Sequence, residues 1–170
     1  MRKISWLFFI PIFIMTASIS AQKSTIYTHY SKDFNRAVSL FKDAQYASAQ
    51  LIFNKVKEAA TTEELKSDCA YYAANCAIRT NQSNADELME QFVSDYPTSV
   101  KQNQAYIEVD HYHFNQGNFP QALKWFDKVD ERSLSRNDQD KFNFQKGYSF
   151  FNAKKKKEVT VYLNRVVNSA

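Results

Sequence analysis

The sequence predicts an all-α fold: a right-handed α-solenoid of about four stacked helix-turn-helix hairpins behind a cleaved signal peptide. Three observations carry that expectation. Glycine and proline are scarce, with 2 and 3 in 170 residues. A pattern of small and aromatic residues recurs along the chain, and the first residues have the composition of an export signal. Scarce glycine and proline argue against a loop-rich β fold and for helices joined by short turns.

At the N-terminus, Arg2 and Lys3 precede an apolar run from Ile4 to Met15, and the small-residue stretch Ala17 to Ala21 follows. That is the order of a secretory signal. The run is too short to span a bilayer as a helix. Cleavage is expected after Ala21, dividing the chain into a signal peptide at 1–21 and a repeat domain at 22–170, expected to continue past residue 170 in a longer chain. Gln22 then begins the mature protein, and no cysteine stands there to take a lipid. The expected product is exported and periplasmic and is not a lipoprotein. An uncleaved anchor is the alternative, because Ile19 is unusual at the third position before the cut.

Removing residues 1–21 takes away Arg2 and Lys3 and no acid. It leaves 20 of the 22 Lys and Arg against 18 Asp and Glu, and the net charge falls from +4 to +2. Nothing in that balance points to nucleic acid as a partner. Two glycines leave no room for a phosphate-cradling loop. Cys69 and Cys76 lie on one expected helix, separated by roughly 10 Å along its axis, so they are expected as free, buried thiols.

The repeat is clearest at residues 113–129, where Gly117, Phe119, Ala122, Phe126 and Val129 follow one another at fixed spacing. Ala44, Tyr46, Ala49, Phe53 and Val56 repeat that spacing upstream. Gly147, Phe150, Val159, Leu163 and Val166 form a copy downstream, and a weaker copy between them contains Cys69, Ala73, Cys76, Ala85, Met89, Phe92 and Pro97. From Ala49 to Ala85 to Ala122 to Val159 the steps are 36, 37 and 37 residues. This pattern resembles the tetratricopeptide repeat, with units near 31–60, 61–97, 98–134 and 135–168. Small residues let paired helices approach, and large residues four and seven positions on fill the space beside the crossing.

Eight helices are expected near 31–43, 46–58, 62–79, 83–95, 99–115, 119–130, 136–152 and 156–168. Thr61-x-x-Glu64 and Ser99-x-x-Gln102 fit capping boxes, and Asn118 is placed to cap the helix that carries Pro120 in its first turn.

Little in the chain invites catalysis. His111 and His113 lie two residues apart and diverge on a helix, so they cannot share a metal ligand. No nucleophile triad, paired-carboxylate signature or cofactor loop is present, so neither enzyme activity nor a cofactor is expected. Asp110 occupies the position of a small residue, and His113 that of a tyrosine. The two are expected to hydrogen-bond, which would raise the His113 pKa. Lys154 to Lys157 read as a solvated turn, with a patch for an acidic partner or lipid headgroups as the alternative.

The resemblance implies a curved array whose first helices line a concave groove for a protein or peptide. Carried onto this chain, that groove contains Phe34, Val38 and Phe41 in the first unit and Ala70, Ala74 and Ala77 in the second. The third supplies Ile107, His111 and Phe114, flanked by Asn115. The fourth supplies Phe144, Tyr148 and Phe151, flanked by Gln145 and Asn152. The paired Lys and Asn of the subfamily that clamps chaperone carboxylates are missing. With its signal, the chain is similar to exported repeat proteins of Gram-negative envelopes, so a scaffold with cell-envelope association is expected. Self-association through an uncapped last repeat is expected too, because Val161, Tyr162, Val166 and Val167 crowd the final helix. The rival readings are a sensor or substrate-positioning region of a larger enzyme or transducer, and a polysaccharide-binding module.

Overall fold

Four residues turn the chain back on itself: Ala44 (φ 57°), Asn81 (φ 51°), Gly117 (φ 72°) and Lys154 (φ 59°). They stand 37, 36 and 37 residues apart, in the period of the repeat. The computed structural model describes residues 31–169. The export signal and its cleavage site lie outside the described residues. Within them run eight α-helices and no strand: α1 over residues 31–42, α2 Tyr46–Ala59, α3 Glu63–Arg79, α4 Ala85–Asp95, α5 Gln102–Asn115, α6 Phe119–Phe126, α7 Arg136–Asn152 and α8 Lys156–Ser169.

Each left-handed residue closes the first helix of a hairpin in the same way. The Gln45, Gln82, Asn118 and Lys155 amides donate to carbonyls five residues back, at Leu40, Ala77, His113 and Phe150. The Ala44, Asn81, Gly117 and Lys154 amides donate three residues back, to Phe41, Ile78, Phe114 and Phe151. This paired pattern satisfies carbonyls that a helix end would otherwise leave bare. Only Gly117 adopts the conformation without a Cβ penalty; the other three positions bear about 1 kcal/mol each.

Consecutive helices pack along the chain, and α3 also meets α5, so first helices of neighbouring hairpins lie side by side. The expected small residues sit at the crossings. Ala37, Ala49, Ala85 and Ala122 are wholly buried, and so are Phe53, Met89 and Phe126 four residues beyond the last three. At Gly147 an added Cβ would stand 2.8 Å from Leu163 Cδ2 and 3.3 Å from Tyr162 Cβ, so α7 and α8 approach closest there. In the last hairpin Val159, Leu163 and Val166 are only partly buried.

Several local expectations are corrected. Thr62, not Thr61, caps α3, its hydroxyl accepting from the Leu65 amide at 3.4 Å. Helix α5 begins at Gln102 instead of 99, without a side-chain cap. Ser99 is engaged elsewhere, its hydroxyl 2.8 Å from that of Ser67. Gln102 closes the end of α4 by donating to the carbonyls of Val93 (2.9 Å) and Tyr96 (2.8 Å). Asn118 makes no side-chain cap to α6. That helix stops at Phe126, four residues early, where the Lys146 ammonium contacts the Phe126 carbonyl at 3.5 Å and Asp127 at 3.0 Å. A lysine there satisfies carbonyls and complements the negative end of the helix dipole. Ser135 caps α7, accepting from the Asp138 amide at 3.3 Å.

Cys69 and Cys76 are free and buried in the first core cluster, as expected. Burial pushes both thiols up to about 12, which keeps them protonated and unreactive.

Candidate functional site

Two adjoining cavities run across the first helices of the hairpins. One of about 400 Å³ is lined by Phe41, Tyr71, Tyr72, Asn75 and Lys101. Another of about 720 Å³ is lined by Ile107, His111, Asn115, Asp138, Lys141 and Phe142. They share Arg79, Val100, Gln104 and Glu108 as walls, which makes a continuous groove over α3, α5 and α7.

A ladder of polar side chains floors the first half of this groove. The Asn75 amide donates to the Tyr71 hydroxyl at 3.3 Å, and Arg79 Nε donates to Asn75 Oδ1 at 3.2 Å. Residues four apart share a helix face, so Tyr71, Asn75 and Arg79 form one row on α3. Arg79 reaches Glu108 of α5 at 3.5 Å, and Gln104 donates to the same carboxylate at 3.1 Å. Lys101 lies over the rings of Tyr71 and Tyr72, at 5.4 and 5.1 Å, and pairs with Asp68 at 3.7 Å. Burial pushes the Tyr71 hydroxyl well above its ordinary value, so it stays a neutral hydrogen-bonding group.

Beneath the second half lies a buried polar cluster on α5. Asp110 is wholly buried, and neither carboxylate oxygen has a hydrogen-bond partner; His113 Nε2 on the same helix is buried without one as well. Burial above all pushes Asp110 up to about 9, Glu108 adds to the shift, and Lys141 and Lys146 oppose it. A carboxyl in that position is neutral at pH 7. The expected Asp110–His113 bond is absent. The His113 pKa is lowered by burial, against the pull of Asp86 and Glu90, which reverses the expected direction. It is His111 that approaches Asp110, with Nε2 3.6 Å from Oδ1, and burial followed by Lys141 holds its pKa below the ordinary value.

Beyond this cluster an aromatic strip lies open. Phe144, Tyr148 and Phe151 are 50 %, 42 % and 66 % exposed along one face of α7. Tyr148 sits 5.8 Å from Phe114 and 5.6 Å from Phe119, measured between ring centroids, so the strip continues onto α5 and α6. The opposite face of α7 buries Asn143, Gln145, Lys146 and Ser149.

The residues named for the groove therefore separate into three places. Ile107, His111 and Asn115 line the larger cavity. Phe114, Phe144, Tyr148 and Phe151 form the aromatic strip, where the Asn152 amide is held by its own helix through the Tyr148 carbonyl at 2.9 Å. Phe34 packs inward against Phe53 and Tyr72, at 5.7 and 6.1 Å, while Phe41 packs on Tyr46 and Tyr72 and also edges the smaller cavity. Ala74 and Ala77, expected to line the groove, are buried. The face of α3 that lines it is the Tyr71, Asn75 and Arg79 row, legible as a four-residue spacing once the alanines are assigned to the crossing. Among the described residues no cluster of three His, Cys, Asp or Glu side chains suits a metal, and no helix is long and apolar enough to cross a membrane.

Residues 68–99, covering most of α3 and all of α4, match the family model of the tetratricopeptide repeat. The match supports a tetratricopeptide repeat in this hairpin, a unit that typically serves in protein–protein interaction. It falls on the hairpin that reads as the weaker copy, where Ala73 and Ala85 hold the tetratricopeptide crossing positions. The identical turns at Ala44, Gly117 and Lys154 repeat its geometry at Asn81 in the other three hairpins. No curated protein matches the chain significantly.

Proposed function

We propose that this chain is an exported, periplasmic scaffold, a right-handed tetratricopeptide solenoid that holds a protein or peptide in its groove and serves envelope assembly. The N-terminal pattern of Arg2 and Lys3, an apolar run and Ala21 supports export. The observation that carries the binding role is the aromatic strip beside the polar groove. A soluble protein rarely leaves several large rings open together on one face without a partner, and aromatic anchors next to side-chain amides suit a peptide chain.

The decisive experiment is co-purification from the source cell with Phe114→Ala, Phe151→Ala and Lys55→Ala, the last an exposed control on α2. Each variant is first checked for folding by circular dichroism. Loss of the partner in both aromatic variants and recovery in the control is the expected result; unchanged recovery from both would move the binding surface elsewhere. Self-association belongs to the same proposal. Val161 and Val167 are 51 % and 73 % exposed on α8, where a further repeat or a second copy would pack. Light scattering of the purified chain is expected to detect species larger than a monomer.

A further inference from the structure

We propose that the partner segment is an extended acidic peptide with aromatic or large apolar residues at alternate positions, seated along α7. The proposal rests on the peptide-binding reading above and gives the ligand a chemistry.

Charge is the first argument. From Lys141 to Lys157 the chain holds six lysines and no acidic residue. Lys146 is spent internally, buried between Asp127 at 3.0 Å and Glu131 at 3.6 Å. The ammonium groups of Lys154, Lys156 and Lys157 are exposed and meet no carboxylate among the described residues. The amide of Lys154 is bonded to the carbonyl of Phe151, so the cationic turn begins where the aromatic strip ends. Lys141 stands at the opposite end, in the wall of the larger cavity. An apolar strip bracketed by unneutralised cations is complementary to an apolar chain that carries carboxylates.

Spacing is the second argument. The centroids of Phe144 and Tyr148 are 6.2 Å apart, and those of Tyr148 and Phe151 6.5 Å. An extended chain presents same-side residues every ~6.6 Å, so alternate apolar side chains fall in step with the rings. The intervening residues point away from the strip toward solvent, where carboxylates stay hydrated and still feel the field of the lysines at its ends.

Other occupants fit less well. A two-fold contact with a second copy through this strip would set cationic ends against cationic ends, since such a contact uses one patch on both partners. A bilayer surface is flat, whereas the strip turns from α7 onto α5 and α6, where Tyr148 meets Phe114 and Phe119 edge-on. An extended chain can follow such a bend.

The test is fluorescence polarisation of the purified chain with three labelled peptides of about twelve residues. The first alternates phenylalanine with glutamate, the second replaces glutamate by lysine, and the third replaces phenylalanine by alanine. The first peptide is expected to bind at least about tenfold more tightly than the others and to weaken by about tenfold between about 50 and about 300 mM salt. The triple variant Lys154→Glu, Lys156→Glu, Lys157→Glu is expected to lower its affinity about tenfold and to raise that of the lysine peptide. Phe151→Ala, whose ring is exposed, is expected to weaken the first peptide about tenfold with an unchanged circular dichroism spectrum. Equal binding of the acidic and basic peptides, lost in Phe151→Ala, would overturn the charge assignment and leave the peptide groove standing. Binding of none of the three would overturn both. Vesicles of phosphatidylcholine with phosphatidylglycerol form a last arm: their capture by a chain that ignores the acidic peptide would make the surface a lipid contact and overturn the proposal.

Discussion

The first and last hairpins share a turn geometry and differ in which way their aromatic rings face. Around α1, α2 and α3, Phe34, Phe53 and Tyr72 gather over a fully apolar cluster, with Phe53 stacked on Tyr72 at 5.0 Å. Along α7 the two kinds are mixed: Phe142 and Phe150 are buried, yet Asn143, Gln145, Lys146 and Ser149 lie inside beside them while Phe144, Tyr148 and Phe151 stand outside. Burying polar groups costs stability unless they are hydrogen-bonded, and exposed rings forgo the hydrophobic gain. A fold needing only stability would not leave three rings open on a helix that buries four polar side chains. The first hairpins therefore serve as foundation, and the later ones carry the surface on which the proposed function rests.

Truncating a ring in each region probes this contrast most strongly. Phe53→Ala is expected to cost about 3–5 kcal/mol, because a wholly buried phenylalanine leaves a cavity. Phe151→Ala is expected to change stability by no more than about 0.5 kcal/mol, as exposed substitutions do. Urea unfolding followed by circular dichroism measures both, and similar losses at the two positions would remove the distinction between foundation and surface.

Lys146 tests whether the buried polar face is structural. Burial opposes its charge, but hydrogen bonds with Tyr162 and Asp127 overcome that and hold its pKa above the ordinary value. Its carboxylate partners are partly exposed and can rehydrate. Lys146→Ala is therefore expected to cost about 2 kcal/mol, well short of a fully enclosed pair. The loss should appear as a lower urea midpoint with α6 and α7 loosened in hydrogen exchange.

Asp110 is expected to act in the other direction. Its folded pKa, raised to about 9, lies far above that of an unfolded aspartate, so the native state binds the extra proton between those values. Stability then falls as pH rises through that window. His111 and His113, whose pKa values are lowered, give the opposite slope only below their unfolded value of ~6.5. Measurements between about pH 7 and about pH 8 therefore isolate Asp110, since above that range the unfolded thiols of Cys69 and Cys76 ionise while the buried ones stay protonated, which adds a slope of the same sign. The unaltered chain should lose stability across that range. Asp110→Asn should flatten the slope and gain about 1–3 kcal/mol at the alkaline end. A parallel slope in the variant would show that the carboxyl is already satisfied.

The smallest effects belong to the shared turns. Ala44→Gly and Lys154→Gly are each expected to stabilise by about 0.5–1 kcal/mol, since both residues hold a left-handed backbone. Gly117→Ala should lose a similar amount: open space surrounds its missing Cβ, so only the backbone is at issue. Thermal melts of the three variants resolve the sign.

Much of the architecture was legible in the chain. The small residues Ala49, Ala85 and Ala122 mark helix crossings because a close approach admits nothing larger, and their period of 36 or 37 residues, carried on to Val159, counts the hairpins. Even the turns follow that period. A step of one repeat from Gly117 reaches Asn81 and Lys154, but neither announces itself, because αL geometry imposed by tertiary packing overrides residue preference. Capping was read less well at Ser99 and Asn118, where the hydroxyl and the amide have other surroundings in the fold.

The sequence by itself determined the helical hairpins, their number and the small residues at their crossings, because period and side-chain volume are properties of the chain. Which aromatic faces inward was decided only by the tertiary structure. Phe34 and Phe144 occupy corresponding places in the repeat pattern, yet one packs on Phe53 and Tyr72 and the other stands half exposed. The row Tyr71, Asn75, Arg79 and its link to Glu108 likewise required α3 to lie beside α5, since the link joins residues 29 positions apart across two hairpins. Local spacing assigns a residue to a helix face; the packing of neighbouring helices determines whether that face is core or surface.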